Sequence, residues 1–501
     1  MSITPMRILV VYFLPEKPEH TRLSIIQHLH AMETSETKHN LVYYNAWNDA
    51  PPISLEDTKP QKPPLLDGSH FHAVIFHNTF LGNRWNYWYF YVFQEHFNWL
   101  KELDCVKIAM PQDEYDHAEL LDEWLFDYGV STIFSLHDEN TRRSLYPLMR
   151  GRARFVKCFA GYIDEEAASK ISPNLPSLDK RPFDVVYRAT HLPYWFGSAG
   201  QLKHRIADVV AHHASKHNLR CNISTKDEDV IVSSEWLDFL SSGRATIGCE
   251  SGSSVLDWRG EIQTQIRTLQ RIQQDISFEE VHTQMPEGWD SHSFFAISPR
   301  HFEAVITKTC QVLVEGYYDG VLEADTHYIP IKRDFSNIDE ALEKIRDDTL
   351  VNQIVERAYQ DIYLSGKYSY RAFARQIEDV IVENEIEGKD EEVAVATIRN
   401  SYEKERALEG LERQLVAERH KYSLLEAKLV EAKLQKSELQ SQLQQHKGEL
   451  QTQLQQQFGE LYTQLRVKRK KALFFCVLIG IVSAILSVPI TLLLLFVLGI
   501  L

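Results

Sequence analysis

Residues 1–390 read as an α/β protein with two Rossmann-like doubly wound domains in tandem, and three observations lead there. Short runs of Val, Ile, Leu and aromatic residues alternate with helical stretches, as strands buried on both faces of a parallel sheet require. A Pro- and Ser-rich segment, SPNLPSLDKRP at 172–182, interrupts the alternation. The same alternation then starts afresh. A chain of 501 residues, 44% of them hydrophobic, has enough material for two or three cores.

In the N-terminal domain, 1–171, RILVVYF opens as a strand, followed by a helix near LSIIQHLHAM and a strand at LVYYN. HAVIFHN, a helix near WYFYVFQEHFNWL, VKIAMP, a helix near AELLDEWLFDYG and STIFSL continue the pattern. After the linker 172–182, the second domain, 183–390, runs through DVVYRA, a helix from about 202 to 216, and RCNIST. A short helix near EWLDFL, ATIGCE, a helix near IQTQIRTLQRI, FFAISP, a helix near RHFEAVITKT and QVLVEG follow, with mostly helix from there to about 385. From 400 to 466 Leu, Gln, Glu and Lys dominate. Leu408, Leu411, Leu415, Tyr422, Leu425 and Leu429 keep the 3-4 spacing of a coiled-coil stalk, a route to homo-oligomers.

The C-terminus carries the plainest signal. Ala472 to Leu501 holds no charged residue. As a helix these ~30 residues reach ~45 Å, more than the ~30 Å hydrocarbon core of a bilayer. RVKRKK stands directly before it, and the positive-inside rule keeps the preceding domains on the cytoplasmic side of a single-pass anchor. The membrane expected is a bacterial inner membrane. Six scattered cysteines without paired spacing fit a reducing compartment. A net charge of −16 argues against a nucleic-acid partner, which needs a broad basic face.

In open parallel sheets ligands bind beyond the carboxyl ends of the strands, so the loops there are the place to look for chemistry. In YRATHLPYWFGSAGQLK, Gly197 and Gly200 allow close backbone approach, the following helix start offers N–H groups, and Arg188 and Lys203 add positive charge. The set suits a diphosphate; a Gly-rich turn with two solvated cations is the alternative. In GCESGSSVLDW, Gly252, Ser253 and Ser254 offer small side chains and donors, as an ordinary turn also does. In SPRHFEAVITK, Pro299 starts a helix that presents Glu303, a carboxylate able to accept two hydrogen bonds from a ribose diol or simply to face the helix dipole. For the acceptor side, Asp113 and Glu114 follow VKIAM, and His77 follows HAVIF; each is a candidate to take a hydroxyl proton, and each has a structural alternative as a cap or a buried polar group.

Together the three loops resemble the GT-B glycosyltransferases, most closely bacterial ones of the CgeB-like, glycosyl transferase family 1 C-terminal-domain group. The stretch from SPRHFEA through HYIPIKRD to FSNIDEALEKI carries the resemblance best. It implies a nucleotide-sugar donor, with Glu303 on the ribose, Arg188 and Lys203 on the diphosphate, and Gly252, Ser253 and Ser254 lining the pocket. Arg300, Gly197 and Gly200 complete the implied donor site, and neither a metal nor a further cofactor is implied. The acceptor would be an envelope glycan, a lipid-linked intermediate or a protein. Two places depart from the pattern: eight residues before Glu303 stands Phe295, where many such enzymes carry a second glutamate, and VITKTC replaces the small-residue turn that often follows FEA. A head of this kind without turnover, carried on a coiled-coil membrane scaffold, is the alternative function.

Overall fold

The computed structural model describes residues 4–15, 21–51, 62–66, 68–232 and 235–390, with a few helical residues between 446 and 457. Met1–Asp390 form one compact unit and Glu391–Leu501 a second. The expected membrane segment 472–501 and all but those few residues of the expected stalk 400–466 lie outside the described residues. Among the described residues no helix is long and apolar enough to cross a membrane.

The first half is built on β1 (Arg7–Tyr12), α1 (Leu23–Leu29), β2 (Asn40–Asn45), β3 (Ala73–Phe76), α2 (Asn78–Leu81) and α3 (Tyr87–His96). It continues through β4 (Val106–Ala109), α4 (Ala118–Asp127), β5 (Thr132–Ser135), α5 (Glu139–Leu145), β6 (Arg154–Lys157) and α6 (Glu165–Ile171). Its six strands are parallel in the order β2-β1-β3-β4-β5-β6. All four residues of AVIF in β3 are buried, because helices cover both faces at the centre of the sheet. The sequence reading passes over β6: RFVK is a short edge strand, only partly buried, with a charge at each end.

The second half follows with β7 (Phe183–Arg188), α7 (Gly197–Lys216), β8 (Cys221–Ser224), α8 (Glu235–Ser241), β9 (Gly243–Gly248) and β10 (Ser251–Ser253). Then come α9 (Glu261–Ile272), α10 (Phe278–Gln284), β11 (Phe294–Ala296), α11 (Pro299–Ile306), β12 (Cys310–Val314), β13 (Ile329–Ile331), α12 (Ile338–Lys344), α13 (Asp348–Ala358) and α14 (Tyr370–Asp390). Five strands form a parallel sheet in the order β13-β12-β9-β7-β8.

Three differences from the sequence reading have physical causes. FFAISP joins no parallel sheet: β11 pairs antiparallel with β10, Gly252 opposite Phe295, in a two-stranded ribbon. The region read as mostly helix contains β13, whose IPI holds a proline that an edge strand tolerates. The last helix of the expected second domain, α14, returns to the first: Phe373, Ala374, Ile377, Val380 and Ile381 are buried in one cluster with Ile8, Val10 and Ile75.

Hydrogen bonds fix that return. Glu378 on α14 accepts from Ser35 Oγ and, at 2.6 Å, from His39 Nε2, while His39 Nδ1 accepts from the Met6 N–H at 3.1 Å. The segment 172–182 is tied down as well. Arg181 is 2% exposed and donates to the carbonyls of Gly243 and Thr307 at 2.8 Å and to Thr309 Oγ1 at 2.9 Å, so the end of the expected linker is locked beneath the second sheet.

Candidate active site

The two halves enclose a cavity of about 290 Å³ lined by residues that follow the strands. Asp113 comes after β4, His137 after β5, Arg188 at the end of β7, Val230 after β8, and Gly252 after β9. Such loops mark the edge where backbone groups are left free of the ladder and ligands of open α/β sheets bind. Arg22 at the start of α1, Lys203 on α7, and Arg300 and Glu303 on α11 add further charged groups to the lining. Four basic side chains, Arg22, Arg188, Lys203 and Arg300, therefore face two carboxylates, Asp113 and Glu303, in a chain of net charge −16.

Lys203 is the central cation. Its Nζ donates to Ser251 Oγ at 3.2 Å. Burial pushes its pKa down to about 8, with Arg300 and Arg22 acting in the same direction and Cys249 and Asp113 opposing them. Arg300 donates to the Arg188 carbonyl at 3.1 Å, and its guanidinium lies 5.7 Å from the Tyr187 ring and 5.8 Å from the Trp236 ring. Glu303 accepts from Trp236 Nε1 at 2.5 Å through Oε2, and burial raises its pKa above the usual carboxylate range. Trp236 and the apolar run Val230–Val232 give the second half a greasy wall beside this charged patch.

Arg188 lines the same cavity, but its charge is spent on the wall. Its guanidinium donates to the carbonyls of Tyr187 and Asn222 and to Asn222 Oδ1, and lies 4.4 Å from the centre of the Phe239 ring. Gly252 has φ +125°, and a Cβ there would stand 1.8 Å from the Phe294 carbonyl oxygen; only glycine lets β10 lie so close to β11.

Several expected residues stand outside the cavity lining. The glycines of α7 serve packing: a Cβ on Gly197 would meet Asp290 Oδ1 at 2.2 Å and one on Gly200 would meet Phe196 Cβ at 2.5 Å. The N–H groups at the start of α7 are already paired. Ser198 N donates to both Asp290 carboxylate oxygens at 3.0 Å, and Ala199 N to Ser254 Oγ at 3.1 Å. An internal carboxylate thus takes the place in which the sequence reading puts a diphosphate. Ser253 is 1% exposed and bonds the carbonyls of Phe196 and Val255.

On the first half, Asp113 reaches the cavity in the left-handed region, φ 47°, with its Oδ1 accepting from the Tyr115 hydroxyl at 2.6 Å. Burial raises its pKa. Glu114 does not reach it: completely buried, it accepts from Ser135 Oγ and Leu136 N at 2.7 Å and from the Tyr146 hydroxyl at 2.5 Å. His77 is 1% exposed, its Nε2 lies 3.1 Å from His28 Nδ1, and its other ring nitrogen caps α2. Burial drives its pKa well below the usual histidine value.

The structure adds what single positions in the sequence do not announce. Arg84 is fully buried and donates to the carbonyls of Leu81, Gln112, Asp113 and Asp116, holding the loop that presents Asp113. The halves are then stitched next to that loop by Asp257 N to the Tyr115 carbonyl and Ala118 N to the Asp257 carbonyl, at 2.9 and 3.0 Å. His137 and Arg22, both in the cavity, sit in segments that carry no motif. Among the described residues, no group of three or more His, Cys, Asp or Glu side chains is placed to hold a metal ion.

No family model matches the chain, and no curated protein matches it either. Among solved structures, it is similar to HepE of Anabaena in complex with UDP-glucose, at 10% identity over 75% of this chain and 100% of that one, TM-score 0.37. It is also similar to a sucrose-phosphate synthase from Thermosynechococcus elongatus, at 10% identity over 75% and 98%, TM-score 0.39. A third similar structure is a glycosyltransferase from Rickettsia africae, at 11% identity over 76% and 99%, TM-score 0.35.

Proposed function

We propose that the chain is a membrane-tethered glycosyltransferase of the GT-B type, moving a sugar from a nucleotide-sugar donor to a glycan, lipid-linked or protein acceptor of the cell envelope. One observation carries the reading: Lys203, Arg300 and Arg22 converge with Glu303 in a cavity at the carboxyl edges of two parallel sheets. Bond cleavage in such a donor leaves negative charge on a diphosphate. Cations held in place before the reaction stabilise that charge more in the transition state than in the ground state. Lys203 and Arg300 fill that role, with Arg22 closing over from the first half. Glu303 binds the ribose diol through Oε1, its Oε2 being held by Trp236, and the wall formed by Trp236 and Val230–Val232 receives the base. Arg188 shapes that wall, and the Gly252 backbone lines the cavity beside it. No metal is assigned.

RVKRKK followed by thirty uncharged residues supports a C-terminal anchor that keeps the head on the cytoplasmic face, with the Leu-rich 400–466 segment as a stalk between them and a contact between copies. Asp290 at the start of α7 supports a second reading, a head that binds nucleotide or glycan without turnover.

A thermal-shift and hydrolysis screen of residues 1–390 against UDP-, GDP-, dTDP- and CMP-sugars separates these readings. Stabilisation by one donor, lost in Glu303→Ala and Lys203→Ala, with slow release of nucleotide, is the result expected of the enzyme. Stabilisation with no nucleotide release, with or without acceptor extracts, selects the second reading.

A further inference from the structure

We infer that the first half carries an exosite for an anionic glycan, one whose units bear phosphate or carboxylate groups, and that such a glycan is the acceptor; the second part rests on the glycosyl-transfer reading above. A second cavity, of about 470 Å³, is lined by Glu139, Arg142, Arg143, Arg150, Gly151 and Phe155. It belongs to a basic stretch: residues 142–154, RRSLYPLMRGRAR, hold five arginines and no acidic residue in a chain of net charge −16.

The arginines are held in place. The Arg142 guanidinium lies 5.3 Å from the centre of the Phe155 ring, which packs in turn on Tyr146. Arg150 and Gly151 stand on the turn between α5 and β6, and the buried Asp122 fixes that turn by accepting from the N–H groups of Leu148 and Met149 at 2.7 and 3.0 Å. Gly151, at φ +78°, takes a backbone conformation that a side chain would strain.

Charge decides what the cavity takes. Arg143 is paired with Glu139 at 2.6 Å, Arg154 with Glu383, and Arg152 lies over the Phe126 ring. Among the described residues no carboxylate pairs with Arg142 or Arg150. Arg143 and then Arg142 hold the exposed Glu139 carboxyl below the usual carboxylate range, as a positive potential there requires. A guanidinium forks onto two oxygens of a phosphate or carboxylate, so two arginines without a carboxylate partner in one cavity suit an anion.

The path to the first cavity favours a polymer over a small anion. His137 lines the first cavity and Glu139 the second, two residues apart on one loop, so about 7 Å at most separates their Cα atoms. A glycan that presents a hydroxyl in the first cavity reaches the arginines with its neighbouring units. These contacts set the choice of acceptor and leave donor binding alone.

The test uses the full-length chain in neutral detergent and four probes: dextran, carboxymethyl-dextran, dextran phosphate and a short-chain phosphatidylglycerol. At least one charged dextran is expected to bind about tenfold or more tighter than dextran, and less tightly as salt is added. The Arg142→Gln/Arg150→Gln double variant should lose that gain while keeping the affinity of the panel donor within about twofold. Arg271→Gln/Lys367→Gln, which removes the same charge from exposed positions outside the cavity, should bind the charged dextrans as the wild type does. The charged dextran that binds tells phosphate from carboxylate. Charged dextrans bound no better than dextran, or bound equally by wild type and the Arg142/Arg150 variant, overturn the inference. Binding of the phosphatidylglycerol alone through these arginines also overturns it and makes the cavity a lipid contact. If the charged dextrans bind through Arg142 and Arg150 but no donor binds, the exosite stands and the transfer reading, with the acceptor role, fails.

Discussion

At the scale of single residues, Lys203 is the buried cation of the cavity. Its pKa of about 8 is set by burial and lies below the ordinary lysine value, so in the free protein its charge is lost as pH rises through about 8. The sign for stability runs the other way. Between about 8 and the unfolded value the unfolded chain binds more protons, so this group makes stability rise with pH there. Nucleoside diphosphate affinity is therefore expected to fall above pH 8 and to take up a proton on binding, measurable by calorimetry in buffers of different ionisation enthalpy. Lys203→Met should abolish both the uptake and this part of the pH dependence. Lys203, Asp113, Arg300 and Glu303 were legible in the sequence because they occupy loops or helix starts after readable strands. Glu114 and His77 were not correctly legible, since one position decides between the cavity and the core: Asp113 reaches the cavity, while its neighbour turns to Ser135 and Tyr146.

At the scale of elements, buried polar contacts position the site. Arg84 is the clearest case, and Arg84→Met leaves four carbonyls of the 81–116 region without their buried donor. At ~1–3 kcal/mol for each unsatisfied group, softened by relaxation, a loss on the order of 3 kcal/mol in denaturant unfolding is expected. The Pro, Gly and aromatic punctuation of the sequence located β1, β3, β4, β7, β9 and β12, whose apolar runs are buried on both faces. It missed β6 and β13 because edge strands need few apolar residues, and it misassigned β11 because three strand residues do not tell which sheet they join. The helix α14 was legible as a helix but not by its destination, since an apolar face does not name the sheet that it covers. Phe373→Ala, which empties a fully buried position against Tyr162 and Phe134, is expected to cost about 3–5 kcal/mol, read as a shift in denaturant midpoint.

At the scale of the whole molecule, α14 makes residues 1–390 a unit closed on itself, and truncation before Tyr370 is expected to leave the buried face of the first sheet bare and the protein aggregated. For the proposed anchor, the full chain should stay with membranes through alkaline carbonate extraction, while residues 1–390 fractionate as free protein. Recovery of the full chain in the extract would contradict the anchor. The proposed function requires that the cavity between the sheets bind a nucleoside diphosphate sugar through Lys203, Arg300 and Glu303. Calorimetric titration of residues 1–390 with the donor panel tests it most directly. One donor is expected to bind at one site per chain, with affinity lowered at least tenfold by Lys203→Met and by Glu303→Ala in variants that melt like the wild type. A folded unit that binds none of the donors, or binds one equally well without both side chains, would contradict it.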